Sequence, residues 1–190
     1  MTNALIEYLR SFIHIPGADA DIIAAQVPCR TVTEGTILLQ EGNIAREMFF
    51  ISKGILKIVS TSDKGVEVVH FFVKENQFCT ILNSFNKELP AGEGIKAACD
   101  AEILVITKSR LQHLYTQLPY LQALIEQITH QRLLDKIQVT NMYLGKDSAS
   151  KYKLFIEQQS DIALRVPLTD VAAYLGITPQ SLSRIRRNNR

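Results

Sequence analysis

The chain has 190 residues, 46% of them hydrophobic, with 21 Lys and Arg against 19 Asp and Glu and a formal net charge of +2. That content suffices for a buried core in one domain or two small ones, and the near-neutral balance excludes a polycation. No apolar run approaches the ~20 residues of a bilayer span, and MTNALIEYLR lacks the layout of a secretory signal, so a cytoplasmic protein with no membrane partner is expected.

The first elements are two short helices. Leu5, Leu9, Phe12 and Ile13 recur at helical intervals between Ala4 and Ile15, and Ile22 and Ile23 mark a second helix after Pro16-Gly17. From Cys29 the period shortens. Strand-like runs follow at 30–33, 37–40, 48–52, 55–60, 66–73, 77–81, 95–99 and 103–107, punctuated by Gly35, Gly42, Gly54 and Gly65. Many short strands at close spacing predict an antiparallel jelly roll, which hides short strand edges. Cys29, Cys79 and Cys99 are odd in number and widely spaced, so they read as small buried hydrophobes and not as a disulfide framework or metal site.

After Ser109 the helical period returns. Leu111 and Leu114 lead to Pro119, and an uninterrupted pattern then runs through Met142, with Leu121, Leu124, Ile125, Ile128, Leu133, Leu134 and Ile137 as its apolar stripe. A helix of this length is expected to pair with a second copy through Leu121, Leu124, Ile125, Ile128, Leu134 and Ile137; packing on the roll of its own chain is the other outcome. The polar stretch 145–150 reads as a hinge, and 150–158 as a helix carrying Tyr152, Leu154, Phe155 and Ile156.

The C-terminal TDVAAYLGITPQSLSRIRR holds two short helix patterns that meet at Gly176. Val171, Ala172 and Leu175 form one buried face, with Thr169 placed as an N-cap. Thr178 is a second N-cap, Pro179 suits the first helical position, and Leu182 and Ile185 point inward. The outward face then carries Gln180, Ser181, Ser183, Arg184 and Arg187, with Arg186 and Arg190 nearby. From Lys146 onward eight Lys or Arg stand against four acids, whereas the preceding residues carry thirteen against fifteen. The basic footprint is local. Arginine pairs bidentately with guanine and glutamine with adenine, so this face suits a DNA major groove.

Taken together, the glycine-marked EGTILLQEG and MFFISKGILKI, the long helix and AAYLGITPQSLSRIRR resemble the Crp/Fnr superfamily of bacterial transcription regulators, over essentially the whole chain. The resemblance implies an α+β architecture: an N-terminal jelly roll of the cyclic-nucleotide-binding type as a sensory domain (1–118), a long dimerisation helix (119–144) and a helix-turn-helix domain (145–190). It implies a homodimer on a near-palindromic double-stranded DNA operator, with RNA polymerase as a further partner. Thr169, Thr178, Gln180, Ser181, Ser183, Arg184, Arg186, Arg187 and Arg190 are the expected DNA-binding residues. The family's base-reading positions fall on Gln180, Ser181 and Arg184. Pro179 stands where the catabolite activator has an arginine, which implies a different recognised sequence, and a wing after the second helix is expected to be missing.

The sensory pocket departs from the family pattern. Relatives that bind cyclic AMP carry a Gly-Glu pair and an Arg-Ser or Arg-Thr pair, whereas 77–98 here contains no arginine and its Gly-Glu, Gly92-Glu93, comes late. Candidate pocket residues are Thr80, Asn83, Lys87, Glu93 and Lys96, with the two lysines either pocket cations or solvated surface groups. A cyclic-AMP site of the usual kind is not expected, and the effector is left unnamed. No cofactor or metal is expected either. Three unclustered cysteines cannot supply four iron–sulfur ligands, and His14, His70, His113 and His130 form no ligand set. With only His70 on a roll strand and no nucleophile motif, an enzyme is not expected. The alternative function is a cyclic-nucleotide sensor whose C-terminal helices dock a protein partner.

Overall fold

Two faces of one sheet explain most of the architecture. The computed structural model describes residues 3–188. Helices α1 (Ala4–Arg10) and α2 (Gly17–Gln26) precede eight strands: β1 (Cys29–Val32), β2 (Ile37–Leu39), β3 (Glu47–Lys53), β4 (Leu56–Thr61), β5 (Glu67–Val73), β6 (Phe78–Cys79), β7 (Gly94–Ala97) and β8 (Ala101–Thr107). They form two antiparallel four-stranded sheets, ordered β1-β8-β3-β6 and β2-β7-β4-β5. This is the expected roll, with every predicted strand present to within two residues at each end. A short helix α3 (Leu82–Lys87), which the sequence reading passed over, interrupts the run between β6 and β7.

Strand β4 shows how both faces come to be covered. Leu56 and Ile58 point inward to the roll core, and Lys57 and Val59 point outward with Ile55 just before them, yet all five are buried. On β5 the same split sends Val73 inward and Val69 and Phe72 outward. A register shift opposite Ile58 and Val59 keeps the outward residues in phase. A sheet buried on both faces reads as a near-continuous apolar run, as ILKIV and VVHFFV do, each broken only by Lys57 or His70.

The outer face is covered by the C-terminal helices. Helix α4 (Lys108–Gln117) leads to α5 (Tyr120–Tyr143), followed by α6 (Ser148–Gln158), α7 (Ser160–Ala163), α8 (Leu168–Leu175) and α9 (Pro179–Asn188). Phe155, Ile162, Val166, Val171, Ala172, Leu175 and Leu182 share one core cluster with Ile55, Val59, Val69 and Phe72 of the roll. The expected hinge is shorter than 145–150. Asp147 Oδ1 accepts a hydrogen bond from Ser150 N at 2.7 Å as the N-cap of α6, so residues 148–150 are already helical.

Helix α5 corrects the expected dimer stripe. Leu121, Leu124, Ile125 and Ile128 are at most 6% exposed and belong to the roll's own core cluster. Only Leu133, Leu134 and Ile137 remain open, at 42–49% exposure. The helix is long enough to have two partners, and α4 with the roll has claimed the first half. The cysteine reading is corrected too: Cys79 is buried, Cys99 is half-buried and Cys29 is exposed on an edge strand.

Gly54, between β3 and β4, adopts φ +97°, and a Cβ there would lie 2.5 Å from the Asp100 carbonyl oxygen. Gly54→Ala combines a left-handed backbone with an immovable contact, and should lower stability in urea titrations by roughly 3 kcal/mol.

Candidate nucleic-acid interface and effector cavity

Gly176 ends α8 in the left-handed conformation, φ +68°, as the chain reading required. Ile177 N donates to Ala172 O at 3.0 Å and its side chain packs on the helical cluster, so the three-residue turn is closed from both sides. Thr178 Oγ1 then accepts from Ser181 N at 3.1 Å, fixing the start of α9. Leu182 is 1% exposed and sets the rotation of α9. That rotation leaves Gln180, Ser183, Arg184 and Arg187 exposed on the opposite face, with Ser181 and Arg186 half-buried at its sides. Thr169 is exposed but does not cap α8: the helix begins at Leu168 behind Pro167, which has no side-chain donor or acceptor. Arg190 lies outside the described residues.

What holds this helical unit in place is an ion network the sequence reading missed. Lys57, 8% exposed, donates from Nζ to Asp170 Oδ1 and to Glu67 Oε1, each at 2.8 Å. Asp170 sits in the first turn of α8, where the helix dipole also favours a carboxylate. Burial alone would lower the Lys57 pKa, but its hydrogen bonds to Asp170 and Glu67 outweigh it and the net direction is up. Lys96 bonds the other oxygen of Glu67, Lys74 pairs with Asp161 at 2.5 Å, and Arg165 Nη1 donates to Glu75 Oε2 at 3.0 Å. Three of these contacts, Lys57–Asp170, Lys74–Asp161 and Arg165–Glu75, cross from the roll to the helical unit. An aromatic set joins the same parts: Phe72 lies 5.2 Å from Tyr174, and Tyr143 meets Tyr174 edge-on at 5.7 Å.

A cavity of about 400 Å³ opens beside this seam. Its wall is apolar, with Ile58, Phe71, Phe78, Cys79 and Ile81 from the roll, and helices α5 and α7 close it. Of the candidate pocket residues, Thr80, Asn83 and Glu93 line it. Lys87 and Lys96 do not: Lys87 is exposed at the end of α3, and Lys96 is held by Glu67 on the outer face of β7. The cations that do line the cavity are Lys74, Arg132 and Lys136, two of them on α5 and thus far in sequence from the loop that suggested the pocket. A lysine at the end of a strand and an Arg-x-x-x-Lys spacing on one helix face were the available signals.

Glu75 also accepts from Gly54 N at 2.7 Å. Partial burial pushes its carboxyl up, but Arg165 and the backbone donors hold it down, at about 2 against the usual 4.5. A depressed carboxylate stabilises the fold above its unfolded pKa and loses that contribution as pH falls toward the folded value. Glu75→Gln should therefore melt below the parent chain at neutral pH, and the gap should close between pH 4.5 and about 2 in a pH series of thermal scans.

Residues 29–117 match the family model of the cyclic nucleotide-binding domain. None of the curated proteins matches the chain in sequence. Among solved structures, the c-di-GMP responsive global regulator CLP of Xanthomonas campestris is similar at a TM-score of 0.73 and 16% identity, over 91% of each chain. FixK2 of Bradyrhizobium japonicum gives 0.71 and 13%, over 85% of this chain and 83% of that one. A protein of the Crp/Fnr family from Eubacterium rectale gives 0.71 and 16%, over 96% and 87%. The two comparisons thus agree: residues 29–117 match the cyclic nucleotide-binding domain model, and the chain as a whole, long helix and trailing helical pair included, shares the fold of these solved structures.

Proposed function

We propose that the protein is a sequence-specific DNA-binding transcription regulator that acts as a homodimer and answers to a small effector in the cavity, without catalysing a reaction. The observation that carries this reading is the outward face of α9. Gln180, Ser183, Arg184 and Arg187 are exposed on a helix whose rotation is fixed by a buried Leu182 and whose partner α8 is anchored to the roll. A rigidly presented basic helix after a three-residue turn is the device by which helix-turn-helix proteins enter the major groove.

The dimer seam belongs on the free half of α5. His130, Leu134, Ile137 and Asn141 follow steps of four and three, and all are exposed. Leu134 and Ile137 stay in the seam, while Leu121, Leu124, Ile125 and Ile128 are already covered. The chain divides functionally into the sensory roll (1–118), the pairing helix (119–144) and the DNA reader (145–190). Two readers paired this way would meet half-sites one DNA turn, roughly 34 Å, apart.

Arg184→Ala should lower affinity for an operator selected from random duplexes by about 1–3 kcal/mol while leaving binding to unrelated DNA nearly unchanged, as fluorescence anisotropy would show. Unchanged operator affinity would remove the assigned role. Leu134→Glu combined with Ile137→Glu should sediment as a folded monomer where the parent chain is a dimer at micromolar concentration. A parent chain that is itself monomeric would contradict the pairing.

A further inference from the structure

The cavity beside α5 differs from a nucleotide site in where its charges lie. From β6 to β7 the only cations are Lys87 and Lys96, and neither reaches the cavity. A half-buried phosphate therefore finds no partner on the loop. The available cations stand elsewhere on the lining. Arg132 reaches Asp135 at 3.5 Å, whereas Lys136 forms no ion pair among the described residues. Its Nζ lies 5.5 Å from the centre of the Phe71 ring, so it hangs over the apolar wall. Lys74, Arg132 and Lys136 face two acids, Glu93 and Asp135. Asp135 is already engaged by Arg132 and, at 3.0 Å, by Gln131 Nε2. Lys74 is paired with Asp161, so Lys136 is the one lining cation without an ion pair among the described residues, and Glu93 opposes a second negative charge.

We propose that the cavity binds an amphipathic monocarboxylate, an apolar body with one anionic end, and that this end pairs with Lys136 and competes with Asp161 for Lys74. This rests on the reading of the protein as an effector-responsive regulator and names the class of effector. A volume of about 400 Å³ lies within the range of small-ligand sites, and the walls offer an aliphatic or aromatic body what it needs.

The site also touches the reader directly. Gln158, Gln159 and Ile162 line it from α6 and α7. Gln159 Nε2 donates to Tyr143 Oη at 2.9 Å and Tyr174 Oη at 3.3 Å, joining the end of α5 to α8. Lys74 is at once a lining residue and the partner of Asp161. A carboxylate on Lys74 withdraws one of the three ion pairs between roll and reader, and ligand and DNA affinities then change reciprocally.

Isothermal titration of the full-length protein compares octanoate and 4-phenylbutyrate with octanol, 4-phenylbutanol and cyclic AMP. The acids should bind about tenfold or more tightly than the matching alcohols, and Lys136→Gln should erase most of that difference, with Arg132→Gln as a second variant. Lys74→Gln should abolish the effect of octanoate on operator affinity. Equal affinity for acids and alcohols, indifference to both α5 variants, tighter binding of cyclic AMP, or no binding of either acid at about 1 mM overturns the proposal. Acid binding without any operator binding would leave the ligand class standing and sink only the regulator reading.

Discussion

The arrangement of the whole molecule depends on a lysine that the roll cannot accommodate alone. Lys57 is the second residue of β4, with its ammonium on the outward face, between Ile55 and Val59, where the neighbouring surface is apolar. Glu67 on the next strand satisfies one donor; Asp170, 113 residues later, satisfies another. A buried pair of this kind adds little net stability over an apolar substitute, but losing one partner leaves an uncompensated charge, at a cost of about 3–5 kcal/mol. Its effect is therefore on geometry. Helix α8 has one position over the sheet in which Asp170 meets Lys57, and the apolar residues around it pack in register with that position.

A consequence is that the reader has no core of its own. Phe155, Val171 and Leu175 are completed by Ile55, Val69 and Phe72 of the roll, so a change of roll shape is felt at α8 without a separate transmitting element. The peripheral ion pairs, Lys74–Asp161 and Arg165–Glu75, are half-exposed and individually weaker, which makes them the adjustable part of the seam. Helix α5 works differently. Its first half is cemented to the roll, whereas Leu133, Leu134 and Ile137 of its second half are open, and that division leaves one helix to act as a structural strut while keeping an apolar face available for the pairing proposed above.

Much of this was legible in the chain because local rules were obeyed. Glycines at positive φ marked the roll turns, and the Gly176 stop, the Thr178 cap and the inward Leu182 fixed the outward face of α9 without tertiary help. What escaped were long-range choices. The apolar period of α5 does not say which of its turns the roll will cover, and Thr169 looks like a cap until Pro167, two residues earlier, is seen in the cap position of α8. The cavity's cations could not be placed by reading the loop, since two of them come from α5. Lys57 did leave a trace: a single charge inside ILKIV, flanked at i−2 and i+2 by apolar residues, announces a strand face that something else must cover.

If roll and reader are one unit joined at Lys57, native-state hydrogen exchange on the full chain is the most direct examination of that joint. Amides of α8 should exchange only through the same cooperative opening that exposes β4 and β5, and Lys57→Ala should lower both protections together. Exchange of α8 through an independent, lower-energy opening that Lys57→Ala leaves untouched would show that the two parts are merely tethered, and the account would fail.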